Sequence, residues 1–497
     1  MPTVELDPGA RLHAGPAGAL LIGGQPMRVL KLNPAAAAVV TRWRDATAAA
    51  ASPAAAASPA AGKAPAAGRA PAAAQAPAPA AEPVGAAEPG SAAEPVGAAE
   101  LALAKRLHDA GLAVLRMETS PWTAADVTVV VPVHGRPAAL DRCLASVGPG
   151  PRVLVVDDAS ADGSGIARVA AARGAELVVR PVNGGPAAAR NTGLAAVTGP
   201  LVAFVDSDCV LPEGWLAGLL PVLADGTAIV GPRVVGLGGP GRLAAYETAN
   251  GPLDLAGGAG PVGAGTRVGY LPAAALLCRR DALGTGFDES MRTGEDVDLV
   301  WRVAAGHPVR YEPRVVVRHE TRTTFGAWFA QREGYGQGGA ALADRHPGRL
   351  APVVVSRWSV PALLCLAARR PVWAAAWTGL TAVGLWTRLP DGPGRVEESV
   401  RLTTQGLGWT LLGLAEAAAR PWLPALLAAS AVSRTARGAT AAALAVRLVR
   451  TRGSRGPGLD PVSWAALRIA DDLAYGTGIW AGALRRRQPE PLLPRIT

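Results

Sequence analysis

Two aspartates, Asp206 and Asp208, stand one residue apart at the end of an apolar run in LVAFVDSD, residues 201–208. A buried strand that runs straight into acids delivers them to the carboxyl edge of an open α/β sheet, where such sheets bind ligands. Two carboxylates in this spacing can hold a hard divalent cation and leave its other positions to phosphate oxygens. The pair reads first as a nucleotide-diphosphate site. A second pair, Glu295 and Asp296, lies in TGEDVDLVWRV, residues 293–303, at the start of a predicted helix. An acid placed there can take a proton from an attacking hydroxyl, although acids also suit a first helical turn for electrostatic reasons alone. His319 follows a further β-branched run in RYEPRVVVRHE and is a third polar candidate, with an ordinary structural histidine as the alternative.

The elements around these residues form a repeating pattern. Residues 127–131 (VTVVV) read as a buried strand ending at Pro132, followed by His134, Gly135 and Arg136 and a helix through residue 147. A second strand over 153–156 ends in Asp157 and Asp158, and the two make a βαβ unit. A third, residues 176–180, leads into NGGPAAARNTG at 183–193, whose glycines let a backbone approach closely before a helix opens. The fourth strand carries Asp206 and Asp208. All these polar signals fall on one rim.

The order and spacing of VVVPVHGRPAALDRCLASV, VLVVDDAS, NGGPAAARNTGLAA, FVDSD and TGEDVDLVWRV over about 190 residues resemble the family-2 inverting glycosyltransferases. The resemblance implies an α/β fold of GT-A type, a doubly wound mixed sheet that binds a nucleotide sugar. It also implies Pro132 and Asp158 against the uracil and ribose, Arg190 and Asn191 near the nucleotide, and Asp206 at the diphosphate. Asp206, Asp208 and, as in some relatives, His319 would hold Mn²⁺ or Mg²⁺. Inverting transfer is an in-line displacement, so one carboxylate must deprotonate the acceptor hydroxyl on the face opposite the diphosphate. Asp296 is the first choice for that base and Glu295 the second. The Q-x-x-R-W motif of sugar polymerases is reduced here to Gln331 and Arg332, which argues against processive synthesis.

A chain of 497 residues suggests about three units. Residues 46–100 are almost wholly Ala, Pro, Gly, Ser and Glu and read as a disordered linker insertion. The flanks, 1–45 and 101–118, together resemble the small α+β peptide-binding module of the PqqD type. The catalytic unit spans 125–345. Residues 346–497 form a helical, apolar, tryptophan-containing region whose runs are too short or too charged to span a bilayer, so interfacial helices or a packed helical lid are the two readings. The four cysteines are scattered, with no C-x-x-C pair, as in a reduced cytoplasmic protein. The net charge of +10 is carried almost entirely by arginine. Without an aromatic-interleaved basic platform it points away from nucleic acid and towards an anionic membrane surface. The first ten residues lack the basic segment and apolar run of a signal peptide, so the expected location is the cytoplasm, at the inner face of the membrane.

The combination of module, catalytic motifs and apolar last third resembles the mycofactocin biosynthesis glycosyltransferases of actinobacteria. That resemblance implies a UDP-sugar donor, UDP-glucose, and a peptide-derived redox cofactor as acceptor, giving a β-linked oligosaccharide. A membrane-associated enzyme acting on a polyprenyl or glycolipid acceptor is the alternative. A non-catalytic binding protein is disfavoured by the intact acids.

Overall fold

The computed structural model describes residues 3–15, 18–24, 27–50, 97–255, 257–456 and 458–497. The predicted linker lies outside the described residues from 51 to 96. Its borders are shorter than the composition suggests, because residues 46–50 and 98–100 are helical. Alanine-rich sequence continues a helix wherever packing supports one.

The N-terminal part comprises β1 (Thr3–Leu6), β2 (Arg11–Gly15), β3 (Gly18–Gly23), β4 (Arg28–Leu32), α1 (Pro34–Ala50), α2 (Ala98–Asp109) and β5 (Ala113–Arg116). β2, β3 and β4 form an antiparallel sheet, and β1 pairs with β5. Residues on both sides of 51–96 therefore share one sheet. They also share one core, in which Leu21, Val40, Leu107 and Leu112 are fully enclosed.

The central unit is a nine-stranded mixed sheet. Its first half runs β6 (Val127–Val133), α3 (Pro137–Val147), β7 (Arg152–Asp157), α4 (Gly163–Ala172), β8 (Glu176–Val179), α5 (Pro186–Ala196) and β9 (Leu201–Val205), all four strands being parallel. The second half runs β10 (Cys209–Val210), α6 (Trp215–Leu223), β11 (Ile229–Gly236), α7 (Arg242–Asn250), β12 (Gly260–Pro261), β13 (Ala275–Arg279), α8 (Glu295–Ala304) and β14 (Val309–His319). Strand order is β10-β14-β11-β13-β9-β6-β7-β8, with β12 on β14 and β13 antiparallel to both neighbours. Alternation along β6 and β9 sends Val129, Val131, Ala203 and Val205 into the core on one face of the sheet. Val130, Val202 and Phe204 enter the core on the other. A strand buried on both sides reads as a continuous apolar run for this reason. Gly193 lets α5 lie directly on the sheet, since a Cβ there would meet Val130 at 2.3 Å.

Beyond the sheet, α9 (Phe325–Arg345) is followed by β15 (Val354–Val355), α10 (Val360–Ala367), α11 (Pro371–Trp386), α12 (Arg395–Ala419), α13 (Leu423–Ser430), α14 (Arg434–Thr451), α15 (Pro461–Arg486) and β16 (Arg495–Ile496). The chain's end returns to its middle: α15 packs along α9, and β16 pairs with β15. Among the described residues no helix is long and apolar enough to cross a membrane. Polar ties hold the three parts together. His108 Nε2 lies 2.7 Å from Asp225, Arg116 donates to Glu312 at 2.7 Å, and His13 lies 2.8 Å from the buried Glu398.

Candidate active site

The carboxyl ends of β6, β7 and β9 converge on one rim, and antiparallel pairing of β10 with β14 places Cys209 opposite His319. That register brings His319 beside the D-x-D turn. His319 Nε2 is 3.2 Å from Asp208 Oδ1. Asp206, Asp208 and His319 can each offer one ligand atom such that all lie within 4.8 Å of one another. Two carboxylates and an imidazole are a donor set suited to Mn²⁺ and acceptable to Mg²⁺. Burial pulls Asp208 up, but the hydrogen bond and charge of His319, with help from Arg136 and Arg322, outweigh it and hold the carboxyl down to about 2. For His319, burial works against the charged ring and is exceeded by Asp208, so its affinity for a proton rises.

Arg190, on α5, joins this group to the second acidic pair. Its guanidinium is buried, donating to Asp206 at 2.6 Å through Nη2 and to Glu295 at 2.9 Å through Nη1. It also lies over the Phe287 ring, 5.4 Å from the centroid. Gly294, at φ 86, turns the chain into α8 so that Glu295 and Asp296 form its first turn. The two acids are not equivalent. Glu295 is buried and committed to Arg190. Asp296 keeps partial exposure and, among the described residues, accepts only from backbone N–H groups, those of Ala273 at 3.2 Å and Val297 at 2.8 Å. Burial raises the proton affinity of both; the charge of Asp296 raises Glu295 further, and Arg190 pulls both back.

Other residues singled out by sequence occupy different positions. Pro132 is half-buried on the rim, in register with Val156 of β7. Asp158 is buried and uses its carboxylate on Arg180 at 2.8 Å and on the amides of Gly184 and Gly185 at 3.0 and 2.7 Å, so it organises the NGG loop. Asn191 is engaged within the protein. Its amide donates to Phe287 O at 2.8 Å and Glu289 at 2.9 Å and accepts from Phe287 N at 2.8 Å, leaving the side chain as a clamp on the loop before α8. Sequence reasoning assigns Arg136 no role, yet it donates to Asp208 at 3.0 Å and lies 2.5 Å from Glu320. Its only sequence signal is a cation in the loop after the first strand. A narrow cleft adjoins His319 and is bordered by Glu247, Asp254, Thr321, Gln331 and Tyr335. No local sequence pattern marks Tyr335 or Thr321. Arg332 is buried in an ion cluster, with Asp471 at 3.0 Å and the cleft residue Glu247 also paired to it.

An acid–imidazole triad on the carboxyl rim of a GT-A sheet, tied through a buried arginine to a helix-start acid pair, defines a nucleotide-sugar-dependent glycosyltransferase. Residues 128–282 match the family model described as glycosyl transferase family 2. The chain is 38% identical over 411 residues to the pre-mycofactocin glycosyltransferase of Mycobacterium tuberculosis, covering 79% of this chain and 87% of that one. It is 32% identical over 196 residues to the succinoglycan biosynthesis protein ExoU of Rhizobium meliloti, covering 36% and 57%. A solved structure, the mannosyltransferase PcManGT from Pyrobaculum calidifontis in complex with GDP-Man and Mn²⁺, is 21% identical with a TM-score of 0.36, covering 66% of this chain and 88% of that one. The protein belongs to glycosyl transferase family 2, among the pre-mycofactocin glycosyltransferases.

Proposed function

We propose that the protein transfers glucose from UDP-glucose to a mycofactocin-type, peptide-derived acceptor with inversion at the anomeric carbon. The observation that carries the mechanism is the division of labour in the acid pair: Glu295 is neutralised by Arg190, and the partly exposed Asp296 has no cationic partner at hydrogen-bond distance among the described residues. Asp296 takes the proton of the acceptor hydroxyl as its oxygen bonds to the anomeric carbon, and the bond from that carbon to the diphosphate breaks with its electrons leaving on phosphate. Asp206, Asp208 and His319 would hold Mn²⁺ or Mg²⁺. The ion, when bound, neutralises the departing diphosphate. Arg190 fixes Asp206 and Glu295 in one rigid frame, so that base and leaving-group sides keep their separation. An α-linked donor then gives a β-linked product. The acceptor assignment is supported by the name and the extent of the Mycobacterium tuberculosis relative. The test is mass spectrometry of products after incubation with UDP-glucose, Mn²⁺ and mycofactocin aglycone, with and without EDTA. Stepwise hexose gains that vanish with EDTA are expected. UDP release without any product on that acceptor would overturn the acceptor and favour a polyprenyl or glycolipid one.

A further inference from the structure

The surface that the catalytic site leaves unexplained is the outer face of α11. This helix carries no charged residue and buries only Ala374 and Ala382. On its outward side Trp373, Trp377, Leu380 and Val383 follow one another at i, i+4, i+7 and i+10, all exposed, Trp373 by 60%. Trp358, in the turn before α10, and Leu364, on α10, are exposed by 50% and 65%, and Trp386 ends α11. Single exposed apolar side chains are ordinary, whereas a contiguous stripe of this length marks a surface that something covers.

Charge identifies the occupant. Residues 346–390 contain five arginines, four tryptophans and no aspartate or glutamate. Arg369 and Arg370 are exposed at the turn between α10 and α11. The guanidinium groups of Arg357 and Arg388 lie over Trp358, at 5.5 and 5.3 Å from its centroid, and Arg395 lies over Trp386 at 5.0 Å. An apolar stripe with a predominantly cationic rim, on which Asp391 beside Arg395 is the acid at the Trp386 end, and with tryptophan at the boundary, is complementary to acyl chains under anionic headgroups. A protein partner would have to bring an acidic rim to an apolar centre, and a second copy of this face would set arginine against arginine. The length of α11 is about 24 Å at ~1.5 Å per residue, short of the ~30 Å hydrocarbon core. It would therefore lie in the interface plane rather than span it.

We propose that the α10–α11 face docks the enzyme on an anionic phospholipid bilayer, with Trp373 and Trp377 in the headgroup layer and Arg369 and Arg370 on lipid phosphates. The docking is independent of which acceptor the site takes. Its test is co-sedimentation of the full chain with vesicles of phosphatidylcholine alone or mixed with phosphatidylglycerol, at low and high salt. The wild type should bind only the anionic vesicles and release as salt rises. The double substitutions Trp373→Ser with Trp377→Ser, and Arg369→Glu with Arg370→Glu, lie on the surface and should each weaken binding by about tenfold or more, since one arginine contributes roughly fivefold at such a surface. Thermal midpoints and UDP release should be unchanged in both. Equal binding to neutral vesicles, no binding to either kind, or a lipid-free dimer abolished by the tryptophan substitutions would each overturn the proposal.

Discussion

Arg190 sets the electrostatics of the site, because one buried guanidinium neutralises Asp206, on the side proposed for the metal, and Glu295, on the side proposed for the acceptor. Removing it as Arg190→Ala strands two carboxylates in a partly dry setting, and breaking a buried pair costs about 3–5 kcal/mol. Lysine cannot replace the two-pronged donor. The acids themselves should separate by role. Asp296→Asn should lower kcat by about 10²–10⁴ while donor affinity, read by titration of UDP-glucose, stays near that of the wild type. Glu295→Gln keeps an oxygen for Arg190 and should lose less; equal losses would reverse the assignment of the base. Burial raises the proton affinity of both acids, so kcat/KM should climb with pH through a range above that of an ordinary carboxyl. The sign for stability is opposite: a raised folded-state pKa favours the fold below the unfolded value of about 4, and this contribution is lost as pH rises through the raised value. A rate profile flat down to pH 4 would contradict the buried-pair reading. These particulars were only half legible in sequence. D-x-D and the Glu–Asp pair are local and announce themselves, but the commitment of Arg190, Asn191 and Asp158 depends on contacts that no local pattern encodes.

At the level of elements, the packing of α9 against α15 ties the C-terminal region to the catalytic loop. Glycines make the approach possible: a Cβ on Gly478 would sit 2.0 Å from Glu333 O, and one on Gly336 would sit 2.2 Å from Tyr475 O. On another side of α9, a Cβ on Gly338 would come within 2.9 Å of Thr293 O, just ahead of the acid pair. Between the same helices Arg332 pairs with Asp471, and on another side of α15 Arg447 of α14 meets Asp472 through two hydrogen bonds of 2.9 Å. Gly478→Val should force the helices apart and cost at least about 3 kcal/mol, at or beyond the top of the usual overpacking range. Asp471→Ala should cost about 3–5 kcal/mol by leaving Arg332 buried without that partner. Chemical denaturation followed by circular dichroism measures both, and a loss under 1 kcal/mol in either would show that α15 is a detachable addition. Sequence reading placed the residues of α9 inside the catalytic unit, 125–345. It could not supply α15 as the partner, because glycines inside a helical pattern read locally as weak helix and their purpose appears only when a second backbone arrives.

Across the whole molecule, the parallel half of the sheet was readable because a strand buried on both faces is an uninterrupted apolar run, as in β6, β7 and β9, and the shorter, half-exposed edge strand β8 falls between helices in the same repeating pattern. The pairing of β1 with β5 was not, since it joins residues 3–6 to 113–116 across the alanine- and proline-rich stretch. That pairing makes a strong prediction about the stretch itself. The two segments beside it already share a sheet and an enclosed core containing Val40, Trp43, Leu107 and Leu112. Ties from both sides of the gap reach the other units: Arg267 to Asp7 at 2.9 Å and Arg11 to Glu397 at 2.7 Å from the first segment, His108 to Asp225 and Arg116 to Glu312, each at 2.7 Å, from the second. None of these depends on residues 51–96. Loop-closure entropy varies only as the logarithm of length, so replacing a long insertion by a shorter flexible one changes stability by roughly 1–2 kcal/mol. Replacing residues 51–96 with a Gly-Ser connection of about a dozen residues should therefore leave a folded enzyme with wild-type kcat and a thermal midpoint equal or slightly higher. Cutting the chain once within the same stretch by an engineered protease site should leave both fragments associated through gel filtration. Dissociation of the first fourscore residues on cleavage, or loss of solubility on shortening, would show that the stretch itself holds the N-terminal part together and that β1 and β5 do not.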